Sequence, residues 1–399
     1  MMKNCWKILF VLLATGFMWA CKKPYSPAVI TQAPNYLVVE GFINTADSTT
    51  IKLSRTTQLA DTAKSKPELG AIILIEDNLN NHYQLTETGN GLYKSPAVNL
   101  SGSQTCRLHI ITSDKKEYAS DMVQIDKTPP IDTVTHTVVN NGIQMAVSTH
   151  DATNKVKYFR WDFDETWEYG SYYIAGYKYI SATNTVTYMT PDDLDHICWL
   201  NGKSNQILVG SAENLSQSVI NNQVITYVDE STGKLALGYS ILIKQYALTK
   251  GAFEYWQKLK KNTEQLGSIF DAQPSDLKGN LHNINDASEP VMGYISASNQ
   301  TSKRFIIGHN SIPLFTSNYY GPPGEDSCIP GNLAFEPANT FNDRLNLLYA
   351  ESDNLIYTTY GSGPVTLGYV YASGSCVDCR LKTKGGTNKK PSFWPDILP

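Results

Sequence analysis

Between Tyr36 and Val123 the chain holds no helical period; it alternates. Apolar-rich runs at Tyr36–Ile43, Thr49–Ser54, Ala71–Glu76, Tyr83–Thr86, Leu92–Lys94, Cys106–Ile111 and Glu117–Val123 are separated by turn clusters such as Asp77-Asn-Leu-Asn-Asn81 and Gly89-Asn-Gly91. Successive side chains on a strand point to opposite faces of its sheet, so a period of two, punctuated by turns, restricts this stretch to β architectures. About seven short strands at regular spacing predict a sandwich over residues 36–125.

Thr128-Pro129-Pro130 interrupts the pattern, because paired prolines favour an extended linker. Alternation resumes at Ile131–Val139, Gly142–Ser148 and Val156–Phe163, with Trp161 in mid-strand, and again at Gly238–Ala247, Val291–Ser298 and Arg304–Ile307. These runs predict a fibronectin-III-like sandwich over 131–310 carrying two insertions. The first, Gly170 to Lys234, holds Tyr172, Tyr173, Tyr177, Tyr179 and Cys198. The second is an amphipathic helix over 249–266. Thr249 can cap it, and Ala252, Phe253, Trp256, Leu259 and Leu266 fall on one face. The stretch 311–399 has too few strands to stand alone and is expected to wrap the second domain.

The first residues carry an address. Lys3 and Lys7 precede the apolar run Ile8–Phe17, and Ala20 precedes Cys21. This is the pattern of an export signal over 1–20, and the run is shorter than the roughly 20 residues that cross a bilayer. Cys21 is the expected lipidation site, and 21–35 the lipidated tether. With 41% hydrophobic and 18% charged residues the chain is globular, and a net charge of −4 with no basic cluster argues against a nucleic-acid partner. Export favours disulfides. Cys106 sits inside an alternating strand and is expected to stay a free, buried thiol. Cys198, Cys328, Cys376 and Cys379 lie in loop-like contexts and are expected to form two bridges, with Cys376 and Cys379 each reaching back to Cys198 or Cys328.

Catalytic chemistry finds little purchase. Asp162 and Asp164 share a strand face beside Glu165, and Asp192, Asp193 and Asp195 form a second cluster. Both read as strand-end charges, because no calcium-loop spacing accompanies them. The histidines are scattered, and His109 alternates within a strand. No nucleophile elbow, phosphate loop or dinucleotide motif is present. No catalytic, cofactor-binding or metal-binding residue is therefore assigned, and no cofactor is expected. Trp167, Tyr169, Tyr172 and Tyr173, where a strand runs into the first insertion, are the candidate ligand contacts. Rings exposed in the monomer would suit docking; rings packed between sheets would be structural.

Gly91-Leu-Tyr93 with Cys106–Tyr118 resembles prealbumin-like or peptidase-regulatory modules, so the mainly β fold is expected to begin with a prealbumin- or immunoglobulin-like sandwich. A wider set of residues comprises Leu37-Val-Val-Glu-Gly41, Ile51-Lys-Leu-Ser-Arg55, Thr166-Trp-Glu-Tyr169, Cys198-Trp199, Gln245-Tyr-Ala-Leu248 with Phe253-Glu-Tyr-Trp256, Gly279–Asn285, and Cys376-Val-Asp-Cys-Arg380 with Gly385–Pro391. Together these resemble a Bacteroidota outer-membrane lipoprotein family catalogued as a domain of unknown function. That resemblance implies genes typically placed beside TonB-dependent receptors. It implies a non-enzymatic accessory role in nutrient uptake, lipid-anchored at the outer membrane and partnered by a TonB-dependent β-barrel. The alternatives are a stand-alone surface glycan- or peptide-binding lipoprotein and an unrecognised hydrolase.

Overall fold

The computed structural model describes residues 35–57, 65–100, 104–180, 182–183, 185–190, 193, 195–264, 277–312, 328–336, 342–343, 345, 354–362 and 365–398. The signal segment, Cys21 and the tether up to residue 34 lie outside them. The fold is mainly β.

The first sandwich forms where the alternation predicts. Its strands follow the path Leu37–Gly41, Ser48–Arg55, Leu92–Ala97, His82–Gly89, Ile72–Asp77, Thr105–Ile111, Val123–Asp126, Ala297–Ser298, Ile43–Asn44. The first and last members of that path are separated in sequence only by Phe42, so the strands wrap one core. Leu37, Ile51, Leu53, Ile73, Ile75, Leu108 and Ile110, all fully buried, fill it together with Tyr93 and Tyr118. Cys106 is buried and free.

Two parts of this sandwich come from far along the chain. Leu281–Asn283 pairs antiparallel with Glu117–Ser120, and Ala297–Ser298 pairs parallel with both Ile43–Asn44 and Val123–Asp126. Leu281, Val291, Ile295 and Ala297 enter the first core. The expected second-domain strand Val291–Ser298 is therefore a return segment of the first sandwich. Its backbone runs close to the first strand: the NH of Val39 donates to Met292 O at 2.8 Å. Gly293, at φ +135°, passes so near Val39 O that a Cβ there would sit at 2.2 Å. Only glycine fits this crossing.

The second sandwich packs a sheet of Ile131–Val139, Gly142–Asp151 and Ser218–Asp229 against one ordered Ile197–Lys203, Tyr158–Gly170, Gly238–Leu248, Gln300–Gly308. Leu208–Ser211 extends the second sheet along Tyr158–Gly170. The core between them holds Ile143, Met145, Val147, Phe159, Trp161, Ile225, Tyr239, Ile241 and Ile243. The expected Gly170–Lys234 insertion is not a single excursion from the sandwich. Ile197–Lys203, Leu208–Ser211 and Ser218–Asp229 are strands of the sandwich itself, and only the stretch before Ile197, with its hairpin Tyr177–Ile180/Thr185–Tyr188, stands outside. The alternation that would have marked Ser218–Asp229 is broken by bulges opposite Met145/Ala146 and Val147/Thr149.

The helix runs Lys250–Glu264, and Thr249 Oγ1 accepts from the Ala252 NH at 3.3 Å. It buries Ala252 and Tyr255, with Phe253 against Tyr158 at 5.0 Å and Tyr255 against Tyr294 of the return segment at 5.2 Å. The helix thus sits where the sandwiches meet. At the same junction Phe42 packs edge-on against Tyr246 at 4.7 Å. Fully buried Gln245 donates to Pro129 O at 2.9 Å and accepts from Trp161 Nε1 at 2.8 Å. The linker is thereby tied to the second core.

The C-terminal stretch adds a sheet of Gly331–Ala334, Val365–Ser373 and Asn354–Ser362, then one-turn helices at Gly374–Val377 and Cys379–Lys382. The Cys376/Cys379 region is helical rather than the expected loop. Cys198 bonds Cys379 and Cys328 bonds Cys376.

Candidate functional site

The strand Tyr158–Gly170 carries two of the four candidate ligand contacts, Trp167 and Tyr169, and the acidic cluster Asp162, Asp164 and Glu165. Its alternation sends Phe159, Trp161, Phe163, Glu165, Trp167 and Tyr169 toward one face and Arg160, Asp162 and Asp164 toward the other. The outward carboxylates are neutralised locally. Asp162 accepts from Arg160 at 3.0 Å, and Asp164 pairs with Lys244 at 2.5 Å. Arg160 is sandwiched between the rings of Tyr246 and Trp256, at 4.9 and 4.5 Å. In the other acidic cluster Asp193 holds Lys178 at 2.6 Å, and Asp195 holds Arg380 at 2.7 Å. Asp192 lies outside the described residues. His109 bridges Glu76 at 3.0 Å and Glu117 at 2.7 Å, a structural arrangement.

The aromatic edge divides. Tyr169 is 3% exposed, and its hydroxyl donates to Cys379 O at 3.0 Å. Tyr173 is half-buried and donates to Cys328 O at 2.9 Å, while its NH donates to Cys376 O at 2.8 Å. Trp167 is half-buried against the core, with the Lys234 ammonium 4.7 Å over its ring. Tyr172 alone of the four is largely open, at 49%. Three of the four candidate contacts are therefore packing residues. Trp167 packs on the core, while Tyr169 and Tyr173 seat the disulfide-bearing segment. That segment grips both faces of the sheet end. Cys379 is bonded beside Tyr169 on one face; on the other, Trp394 donates to Glu168 at 3.2 Å and packs edge-on to Trp199. Gly386 passes so close to the Tyr169 hydroxyl that any side chain there would collide with it.

Glu165 is the residue whose setting the sequence did not show. It is 8% exposed, and it opens onto a cleft of about 140 Å³ also lined by Phe163, Lys203, Ser204, Thr226, Tyr227 and Lys234. Lys234 pairs with one carboxylate oxygen, and the Tyr239 hydroxyl donates to the other at 3.0 Å. Burial beside this carboxylate pushes the Tyr239 hydroxyl far above the usual phenol range, so it remains a donor. Gly202 lies directly opposite Glu165 across the strands, and a Cβ there would sit 2.6 Å from the carboxylate. The signal that could have found this site is the odd-numbered position of Glu165. It shares the inward face with Phe163 and Trp161, where a charge demands a partner.

Residues 22–304 match the model of a family described as Domain of unknown function (DUF4249). The chain belongs to that family. No curated protein matches it. Among solved structures, one titled as manganese lipoxygenase of Gaeumannomyces graminis with a partial zonadhesin of Komagataella pastoris is 9% identical, covering 55% of this chain and 91% of that one at a TM-score of 0.16. Chitinase ChiA74 from Bacillus thuringiensis is 13% identical, covering 48% of this chain and 28% of that one at a TM-score of 0.13.

Proposed function

We propose that this DUF4249 member is a non-enzymatic lipoprotein, anchored at the outer membrane through Cys21 and serving as an accessory component of a TonB-dependent uptake system. The observation that carries this reading is the Ala20-Cys21 step that closes the segment of Lys3, Lys7 and Ile8–Phe17; the family match over residues 22–304 is to a domain of unknown function and assigns no role. The basic and apolar segment before Cys21 supports export, and the two disulfides suit an oxidising compartment. Pull-down of the tagged chain from mildly solubilised membranes should recover a TonB-dependent β-barrel; recovery of none would count against the partnership. Mass spectrometry of the mature N-terminus should show a diacylglyceryl cysteine, and a Cys21→Ala chain still held in the membrane would refute the anchor.

A second reading, a surface protein that binds a glycan or peptide on its own, is favoured by the cleft at Glu165 and the open Tyr172 ring. Ligand binding by the purified chain with no barrel recovered would select it. Turnover in a polysaccharide or peptide screen would replace both readings with a hydrolase.

A further inference from the structure

We propose that the row of the second sandwich centred on Glu168 is a docking site for an extended peptide that carries an indole ring between prolines, and that residues 389–398 are a strap seated there until such a peptide displaces it. Register places Trp199, Glu168, Gly238 and Gly308 side by side across four strands, all on one face of the sheet. The two glycines leave a trough in that face. Trp394 fills it, 5% exposed, and a Cβ on Gly238 would sit 2.8 Å from its ring and 2.8 Å from Leu398. The Trp394 indole NH donates to Glu168 at 3.2 Å, and its ring meets that of Trp199 edge-on, with centroids 6.3 Å apart. The strap itself therefore displays the chemistry that the trough accepts: one flat ring with a donor, and Pro391 and Pro395 on either side. Prolines restrict the free segment, so less entropy is lost when it docks.

The segment is held at its root and at one ring. At the root, Thr387 pairs with Trp199 through two backbone hydrogen bonds, at 2.8 and 3.1 Å, and the Asn388 amide donates to Asp195 at 2.5 Å. Among the described residues no strand pairing follows. From Lys389 to Leu398 the one buried residue is Trp394, and its bond to Glu168 is the one hydrogen bond from these residues to the sheet among the described residues. Other contacts lie within the strap and survive displacement: the Trp394 NH donates to Pro391 O at 2.9 Å, and Lys390 pairs with Asp396. Phe393, exposed, rests against the Arg304 guanidinium at 3.5 Å. The cover is also imperfect. Among the described residues the buried Trp199 indole NH finds no partner, and burial pushes the Glu168 carboxyl above its usual range. Buried polar groups without full partners cost free energy that water returns on opening. Segments with few buried contacts are the ones that open locally. Neither functional reading above is needed for this site.

The test titrates a fluorescein-labelled peptide of residues 389–398, followed by anisotropy, with three proteins. These are the intact chain, a chain ending at Asn388, and the full-length Trp394→Ala variant, which keeps the strap but empties the trough. The expected result is saturable binding to both opened chains and binding about tenfold or more weaker to the intact chain, whose own strap competes. The peptide carrying Trp394→Ala should not bind. Gly238→Ala in the shortened chain fills the trough with a methyl group and should abolish binding. In the intact chain, amide hydrogen exchange over 389–398 should run about tenfold or more faster than over Ile197–Lys203. Equal protection of the two would show a fixed segment and overturn the strap, whatever the variants do. Saturation of neither opened chain, equal affinity for the intact chain, or binding that survives loss of the peptide's indole would overturn the docking site.

Discussion

Lys234 stands between a buried carboxylate and the solvent. Replacing it with Met removes the only cation at Glu165 among the described residues and leaves a charge uncompensated, which typically costs about 3–5 kcal/mol. Denaturant melts should show that loss in Lys234→Met and show most of it restored when Glu165→Gln is added. Asp126 supplies a second test at this scale. It ends the last strand of the first sandwich before the linker, and burial pushes its carboxyl up from 3.8 to about 6. A folded state that binds the proton more tightly than the unfolded chain is favoured at low pH. This contribution is therefore lost as pH rises from about 4 to about 6. Asp126→Asn should stabilise the protein by about 1–2 kcal/mol at pH 7, discounted for partial exposure, and by little at pH 4. An equal effect at both pH values would rule out titration as the cause.

Among the elements, the two disulfides differ in reach and access. Cys198–Cys379 closes 181 residues and is fully buried at both ends, whereas Cys328–Cys376 closes 48 and is half-buried at Cys328. Cross-linking a longer loop removes more entropy from the unfolded chain, though by only about 1 kcal/mol for a fourfold change in length. Mild reductant should open Cys328–Cys376 first, as mapped by alkylation and mass spectrometry. The double Ala variant at Cys198 and Cys379 should melt below the double Ala variant at Cys328 and Cys376. The seat of the first bridge explains the aromatic edge. Tyr169 supplies its hydroxyl to the cysteine backbone, so its substitution would loosen the clasp rather than bare a ligand face.

For the whole molecule, the return segment decides what can fold alone. A fragment ending at residue 126 would lack the strand Leu281–Asn283 and four core side chains, Leu281, Val291, Ile295 and Ala297. Burying each of the three larger ones, Leu281, Val291 and Ile295, contributes about 1.5–3 kcal/mol, and native stability totals about 5–15 kcal/mol. Residues 35–126 expressed separately should therefore give poorly dispersed amide spectra and no cooperative melt. A well-dispersed spectrum from that fragment would show the return segment to be dispensable. The intact chain should unfold with its sandwiches coupled, because the helix, Gln245 and the Phe42–Tyr246 contact tie them at one junction.

By itself the sequence determined the local elements: strands with clean alternation, the helix with its threonine cap, and the linker with paired prolines. Each depends on interactions within a few residues, and periodicity records those directly. Strands with bulges were hidden, as in Ser218–Asp229, because one extra residue reverses which side chains face the core. Tertiary structure alone decided that residues near 290 complete a sheet begun near 40, and which cysteines pair. It alone placed Lys234 against a carboxylate 69 positions earlier. These contacts join segments far apart in sequence, and their energies come from burial and from partners that local pattern does not encode. Glu165 marks the boundary between the two. Its strand and inward face are written in the alternation, but the cation, the phenol and the cleft that make the position tolerable are assembled only when the sheets close.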